Sequence, residues 1–249
     1  MQRSAISPTP PSPLEPPGTI AVLGDRSTPF GEMTALEAAL YGRYLGYRVT
    51  VFLSKEDGDG AAANRSNVPL AMLPSQSHSP LAAEAITAQT PDTPVPGPTT
   101  LGEFRDRVIV PLKRVDLLRD HFIDTPVQRI ESAPVQPEAD EDIDDVPPDF
   151  RLHFGDGDHA TFEAVIVTGA SPETMDWAIQ PPTAYLFAID IPMADISMTD
   201  ASTTDAPATG VKGEIEAARS YAAMLQQIVQ VFANLGDRDD LDLYRPRRM

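Results

Sequence analysis

The sequence predicts an α/β protein built on a parallel sheet. Three observations carry this expectation. Ile20, Ala21, Val22 and Leu23 form a short unbroken apolar run that stops at Gly24, as in a strand buried on both faces. An Ala-rich helical stretch from Met33 to Leu45 follows, and Arg48–Leu53, rich in β-branched residues, follows that at once. Strand, helix and strand in such close succession make a βαβ unit, whose crossover is right-handed. Further on, Val165, Ile166 and Val167 form a second apolar run, which ends at Thr168 and Gly169.

The remaining elements follow in order. Residues 1–18 hold six prolines and no periodic pattern, and read as a disordered leader. In the first helix Leu36, Leu40 and Tyr44 recur at four-residue spacing, with Ala39 beside them. Gly46 stands where a left-handed residue would end it. Residues 54–99 are broken by prolines and glycines and read as a long loop, with a short helix near Leu81 to Ala88. A helix from Thr100 carries Phe104, Val108, Leu112, Val115 and Leu118, with Pro111 predicting a kink. Thr100 and Glu103 match a capping box. Phe122 to Ile130 reads as a strand. Residues 131–148 are strongly acidic and read as a solvated loop. Phe150, Leu152 and Phe154 alternate with polar residues, and a turn at Gly155 to Asp158 leads into a strand from Thr161 to Val167, giving a small antiparallel hairpin. Tyr185 to Ile189 reads as one more strand, and 190–213 as a polar loop. The clearest helix spans Glu214 to Leu235, with Tyr221, Leu225, Ile228, Val229 and Phe232 on one face. The expected organisation is therefore one domain over 19–236, flanked by the leader and a charged tail at 237–249.

Composition narrows the function classes. The chain has no cysteine, which excludes a dithiol redox pair, a thiolate zinc site and a disulfide framework. Its histidines, at 78, 121, 153 and 159, are scattered, so no metal site is expected. The net charge of −18 opposes phosphate backbones and argues against nucleic acid as a partner. No apolar run approaches the length of a membrane span, and the first residues lack a secretory apolar core, so a cytoplasmic protein is expected. The sequence identifies no protein partner.

The segment from Ile20 to Leu53 carries most of the functional information. A strand, a glycine turn, an Ala-rich helix and a second strand form the dinucleotide-binding pattern, in which the turn's backbone approaches a pyrophosphate at the helix N-terminus. Thr34 to Tyr41, Leu45-Gly46-Tyr47 and Val49 to Phe52 here resemble the FAD-binding segment of the pyridine nucleotide-disulfide oxidoreductases and flavin monooxygenases. The strand ending Val167-Thr168-Gly169 resembles that family's later motif near the flavin, and Phe104 to Leu118 its connecting helix. The resemblance implies a Rossmann-like FAD/NAD(P)-binding sheet, FAD as cofactor and oxidoreductase chemistry. It places the cofactor contacts at Gly24, Asp25, Arg26, Gly31, Ala35, Thr168 and Gly169, and names no catalytic residue.

Departures from the pattern are equally specific. After Gly24 the next glycine is Gly31, so the loop is long and lacks the family's middle glycine; Asp25, Arg26 and Glu32 stand there instead. Ala35 takes the third glycine's place. Leu53 occupies the position of the ribose-binding acid, and Glu56 and Asp57 come late for it. Phe187 to Asp190 lacks the glycine of the family's final flavin motif. The stretch between Gly169 and Tyr185 is too short for a second nucleotide domain, which argues against NAD(P)H binding. FAD binding is accordingly expected to be weak or lost. Two functions stay open: a divergent FAD-dependent oxidoreductase-like protein with a degenerate dinucleotide site, or a non-catalytic relative that keeps the fold as a structural or protein-interaction module.

Overall fold

The computed structural model describes residue 14 and residues 17–24, 29–53, 79–89, 100–123, 125–133, 149–155, 157–168, 176–177, 185–189 and 211–236. Strand β1 (Thr19–Gly24) is followed by helix α1 (Pro29–Tyr44) and strand β2 (Arg48–Leu53). Helix α2 (Pro80–Gln89), a short α3 (Leu101–Phe104), a π-helical turn (Arg105–Ile109) and α4 (Val110–Lys113) come next. Strands β3 (Phe122–Ile123), β4 (Val127–Ser132), β5 (Phe150–Phe154), β6 (His159–Phe162), β7 (Ala164–Thr168), β8 (Asp176–Trp177) and β9 (Leu186–Ile189) follow. The last described element is helix α5 (Val211–Gly236).

The main sheet has the order β3-β2-β1-β7-β9, all parallel. The predicted α/β class with a parallel Rossmann-like sheet is therefore the observed one. β1 and β7 are apolar through their middles because each has strands on both edges and covered faces: Ile20, Ala21, Val22, Ala164, Val165 and Ile166 are all fully buried. A second, mainly antiparallel sheet, β6-β5-β4-β8, packs beside it through the rings of Phe154 and Phe162 against Phe52.

Several boundaries differ from the sequence reading for physical reasons. α1 begins at Pro29, since proline suits a first helical turn whose N–H has no partner. Tyr44, expected on its apolar stripe, is half exposed, whereas Glu37 and Tyr41 are fully buried. The cause is that α1 lies between the sheet and the helices α2 and α5, so two of its faces are covered. The expected strand from Phe122 to Ile130 is two strands in different sheets. The expected strand from Thr161 to Val167 divides at Glu163, where the chain passes from the small sheet to the large one. There the Glu163 carboxylate accepts hydrogen bonds from the Thr19 N–H at 2.6 Å and the Thr19 hydroxyl at 2.8 Å. Pro111 acts through the turn before it. Its missing N–H cannot bond in the α pattern, and the helix widens into a π turn in which the Val110 N–H reaches Arg105 O. The Thr100 cap is present, its hydroxyl accepting the Glu103 N–H at 3.1 Å. Gly46 ends the first helix at φ 98°, as expected.

α5 covers α1 and β9 with Met224, Ile228, Phe232 and Leu235. Phe232 stands edge-on to Tyr41, ring centroids 5.3 Å apart, and 5.8 Å from Tyr47. Leu14, inside the stretch read as a leader, is buried and held at both ends. Its N–H donates to Leu235 O at 2.7 Å, and its carbonyl accepts the Tyr47 hydroxyl at 2.8 Å. No helix among the described residues is long and apolar enough to cross a membrane.

Candidate functional site

In an open parallel sheet, ligands bind beyond the C-terminal strand ends, where the chain order reverses. Here that point lies between β1 and β7: the chain leaves β1 for β2 on one side and later returns to β7 on the other. Gly24 ends β1 with Leu53 of β2 as its register partner on one side and Thr168 of β7 on the other. The first turn of α1 brings Gly31 over them, and Ala35 follows one turn on. Gly24, Gly31, Ala35 and Thr168, four of the residues singled out in the sequence, thus gather at one crevice. Asp25, Arg26 and Gly169 lie outside the described residues.

The contacts within the crevice are internal ones. A Cβ at position 24 would stand 2.6 Å from Ala35 Cβ and 2.7 Å from Leu53 Cδ2, so the absence of a side chain at Gly24 lets α1 and β2 close over the end of β1. Ala35 is fully buried and Leu53 nearly so. The Thr168 hydroxyl, fully buried, lies 3.1 Å from Leu23 O and 3.2 Å from Gly31 O, and donates between them. It ties the end of β7 to β1 and to the first turn of α1.

Glu32, read from the sequence as part of the loop, belongs instead to that first helical turn. It is only 7% exposed and forms an ion pair with Lys113 of α4. A carboxylate there is favoured by the helix's positive end. Glu37, which the sequence reading passed over, is the other buried acid of α1. It accepts hydrogen bonds from the Ser79 N–H at 2.7 Å, the Ser79 hydroxyl at 2.6 Å and the Tyr221 hydroxyl at 2.6 Å. Ser79 also caps α2, accepting the Ala82 N–H at 3.0 Å. One carboxylate therefore joins α1, α2 and α5. Its signal in the sequence was a charged residue within an alanine-rich helix, which reads equally well as a solvated position.

Glu32 thus places a carboxylate, paired with Lys113, in the first turn of α1. Leu53 sets a buried apolar group at the end of β2, and the Thr168 hydroxyl bonds to backbone carbonyls. What the arrangement does chemically is hold three strand ends and a helix start together.

A second polar group lies on the small sheet. Glu131 accepts from His153 Nε2 at 2.8 Å and from Arg129 Nε at 3.3 Å, with Arg151 Nη1 at 3.7 Å. The His153 hydrogen bond is the main cause that holds the Glu131 carboxyl below its ordinary value. His153 and His159 face each other across the hairpin, ring centroids 6.0 Å apart. Among the described residues no group of three or more His, Cys, Asp or Glu could hold a metal ion.

No family model matches the chain, and no curated protein matches it. Solved structures do. A flavin monooxygenase from Stenotrophomonas maltophilia matches with TM-score 0.35 and 15% identity, over 60% of this chain and 37% of its own. HlmI matches with TM-score 0.32 and 16% identity, over 63% and 36%. An oxidoreductase from Agrobacterium tumefaciens matches with TM-score 0.32 and 13% identity, over 60% and 35%. One of these neighbours, by its name, is a flavin monooxygenase, a kind of protein that the sequence motifs resemble. The chain spans about a third of the length of each of these structures. At such scores the likenesses fix neither an activity nor a ligand for this chain.

Proposed function

We propose that this chain is a non-catalytic relative of FAD-dependent oxidoreductases, with a degenerate dinucleotide site, that keeps the fold as a structural or protein-interaction module. The single observation that carries the reading is the closure of the crevice by the chain's own groups. Gly24 packs on Ala35 and Leu53, Thr168 bridges Leu23 and Gly31, and Glu32 pairs with Lys113. The short β7-to-β9 connection supports it further. β7 and β9 are adjacent and in parallel register, Val165 beside Leu186, so only residues 169–185 lie between them, and two of these form β8. A nucleotide-binding domain needs on the order of 100 residues. A hydride relay from NAD(P)H to flavin finds no room for its second half at that connection.

One feature favours the alternative, a working FAD enzyme: a glycine stands at the end of β1 and a small residue at position 35, which keep the helix start close to the strand. Calorimetric titration of the purified full chain with FAD separates the two. The module reading expects no saturable heat at micromolar protein and no NAD(P)H oxidation. A dissociation constant at or below about 1 μM, roughly −8 kcal/mol, would overturn it.

A further inference from the structure

His153 of β5 and His159 of β6 alternate with Phe154 and Phe162, whose rings pack on Phe52, so the two histidines stand on the outer face of the small sheet. Scattered along the sequence, they predict no metal site; the hairpin makes them register partners. Its turn sets how they meet. The Phe154 N–H donates to Asp158 O at 2.9 Å and the Gly157 N–H to Phe154 O at 3.1 Å, with Gly157 at φ 90°. That rung is the hydrogen-bonded one. The next, His153 with His159, is then a non-hydrogen-bonded pair, in which Cα atoms stand about 4.5 Å apart and side chains run closest. The ring centroids are 6.0 Å apart. An ion about 2.0–2.1 Å from a ring nitrogen lies about 3.2 Å from the ring centre, so two rings on one tetrahedral ion stand about 5.2 Å apart. A small turn of the exposed His159 side chain closes that difference.

His153 is already oriented. Its Nε2 lies 2.8 Å from Glu131 Oε1. An ionised carboxylate only accepts, so Nε2 carries the proton and Nδ1 of the neutral ring keeps its lone pair. A carboxylate behind a histidine in this way fixes the tautomer of metal ligands and raises their basicity. Arg129 and Arg151, the cations of this face, both turn to Glu131. We propose that His153 and His159 form a two-histidine site for a divalent cation of the zinc and nickel class, with Glu131 as the residue that positions His153. Imidazole nitrogen suits these ions, whereas magnesium and calcium prefer oxygen. Two protein ligands fall short of the three or four of a catalytic or structural centre, so water completes the coordination and the ion exchanges. The site is separate from the crevice at Gly24 and does not rest on its degeneracy.

The test is a zinc titration of the full chain, followed through its histidine ring NMR signals in excess magnesium, which occupies the carboxylates. The His153 and His159 signals should move together with one midpoint at or below about 0.1 mM. His159→Asn, at an exposed position, should weaken binding at His153 at least tenfold. Glu131→Gln should weaken it about tenfold. Each variant is checked for cooperative melting. No movement below about 1 mM zinc, separate midpoints for the two rings, or unchanged affinity in a folded His159→Asn chain overturns the site. A folded Glu131→Gln chain that binds zinc as tightly as the native one overturns the positioning role.

Discussion

Replacing Gly24 with alanine tests the packing at the heart of the crevice. The new Cβ would lie 2.6 Å from Ala35 Cβ and 2.7 Å from Leu53 Cδ2. Ordinary carbon contacts lie at about 3.5–4.0 Å, so roughly 1 Å must be found. Leu53 can turn its terminal methyl, at some loss of fit in a buried place. Ala35 Cβ is fixed to α1 and cannot move unless the helix does. Overpacking of this kind costs about 1–3 kcal/mol, and the rigid partner puts Gly24→Ala in the upper half of that range. Ala35→Gly alone should cost about 1 kcal/mol through lost helix propensity. Were the two independent, the double variant would lose about 3–4 kcal/mol. Relief of the contact should instead hold the loss near 2 kcal/mol, a coupling of about 1.5 kcal/mol. Urea unfolding reads this directly: with a slope of about 1–3 kcal/mol/M, Gly24→Ala shifts the midpoint by about 1 M. A loss below about 0.5 kcal/mol, or strict additivity in the double variant, would show that α1 does not rest on the end of β1 as described.

Three further outcomes are expected. Tyr221→Phe removes a 2.6 Å hydrogen bond to the buried Glu37 carboxylate and should cost about 1.5–3 kcal/mol in chemical denaturation; an unchanged midpoint would mean that Glu37 is satisfied without α5. Phe232→Ala empties the fully buried site between Tyr41 and Tyr47 and should cost about 3–5 kcal/mol, whereas a peripheral α5 would melt as before. The Glu131 carboxyl, lowered chiefly by its His153 hydrogen bond, should titrate below 4.5 in carboxyl-carbon NMR, and His153→Phe should raise that midpoint. The sign follows from linkage. A lowered acid stabilises the fold above its unfolded value and loses that contribution as pH falls through the folded value, so the window lies from about pH 4.5 downward. A midpoint at or above 4.5, or one indifferent to His153, would contradict the pairing.

The sequence by itself determined the parallel core. Unbroken apolar runs at Ile20–Leu23 and Val165–Val167 can be buried only with neighbours on both edges, and the tight return through α1 to β2 admits one handedness. It also marked the glycine missing after Gly24, and Leu53 in place of an acid, as departures from the dinucleotide-binding pattern, since both are visible as letters. Long-range charge was different. Glu32 and Glu37 are both acids in an alanine-rich stretch, and local periodicity cannot separate a solvated acid from a buried one. Only the arrival of Lys113 from α4, of Ser79 at the start of α2 and of Tyr221 from α5 decided that both are buried and paired. The division at Glu163 was likewise invisible, because Phe162 and Ala164 carry the same β-strand signal on either side of it. The tertiary structure placed those neighbours in different sheets, because Glu163 is held to Thr19, a residue far away along the chain. Partners that meet only through the fold leave no spacing in the sequence to read.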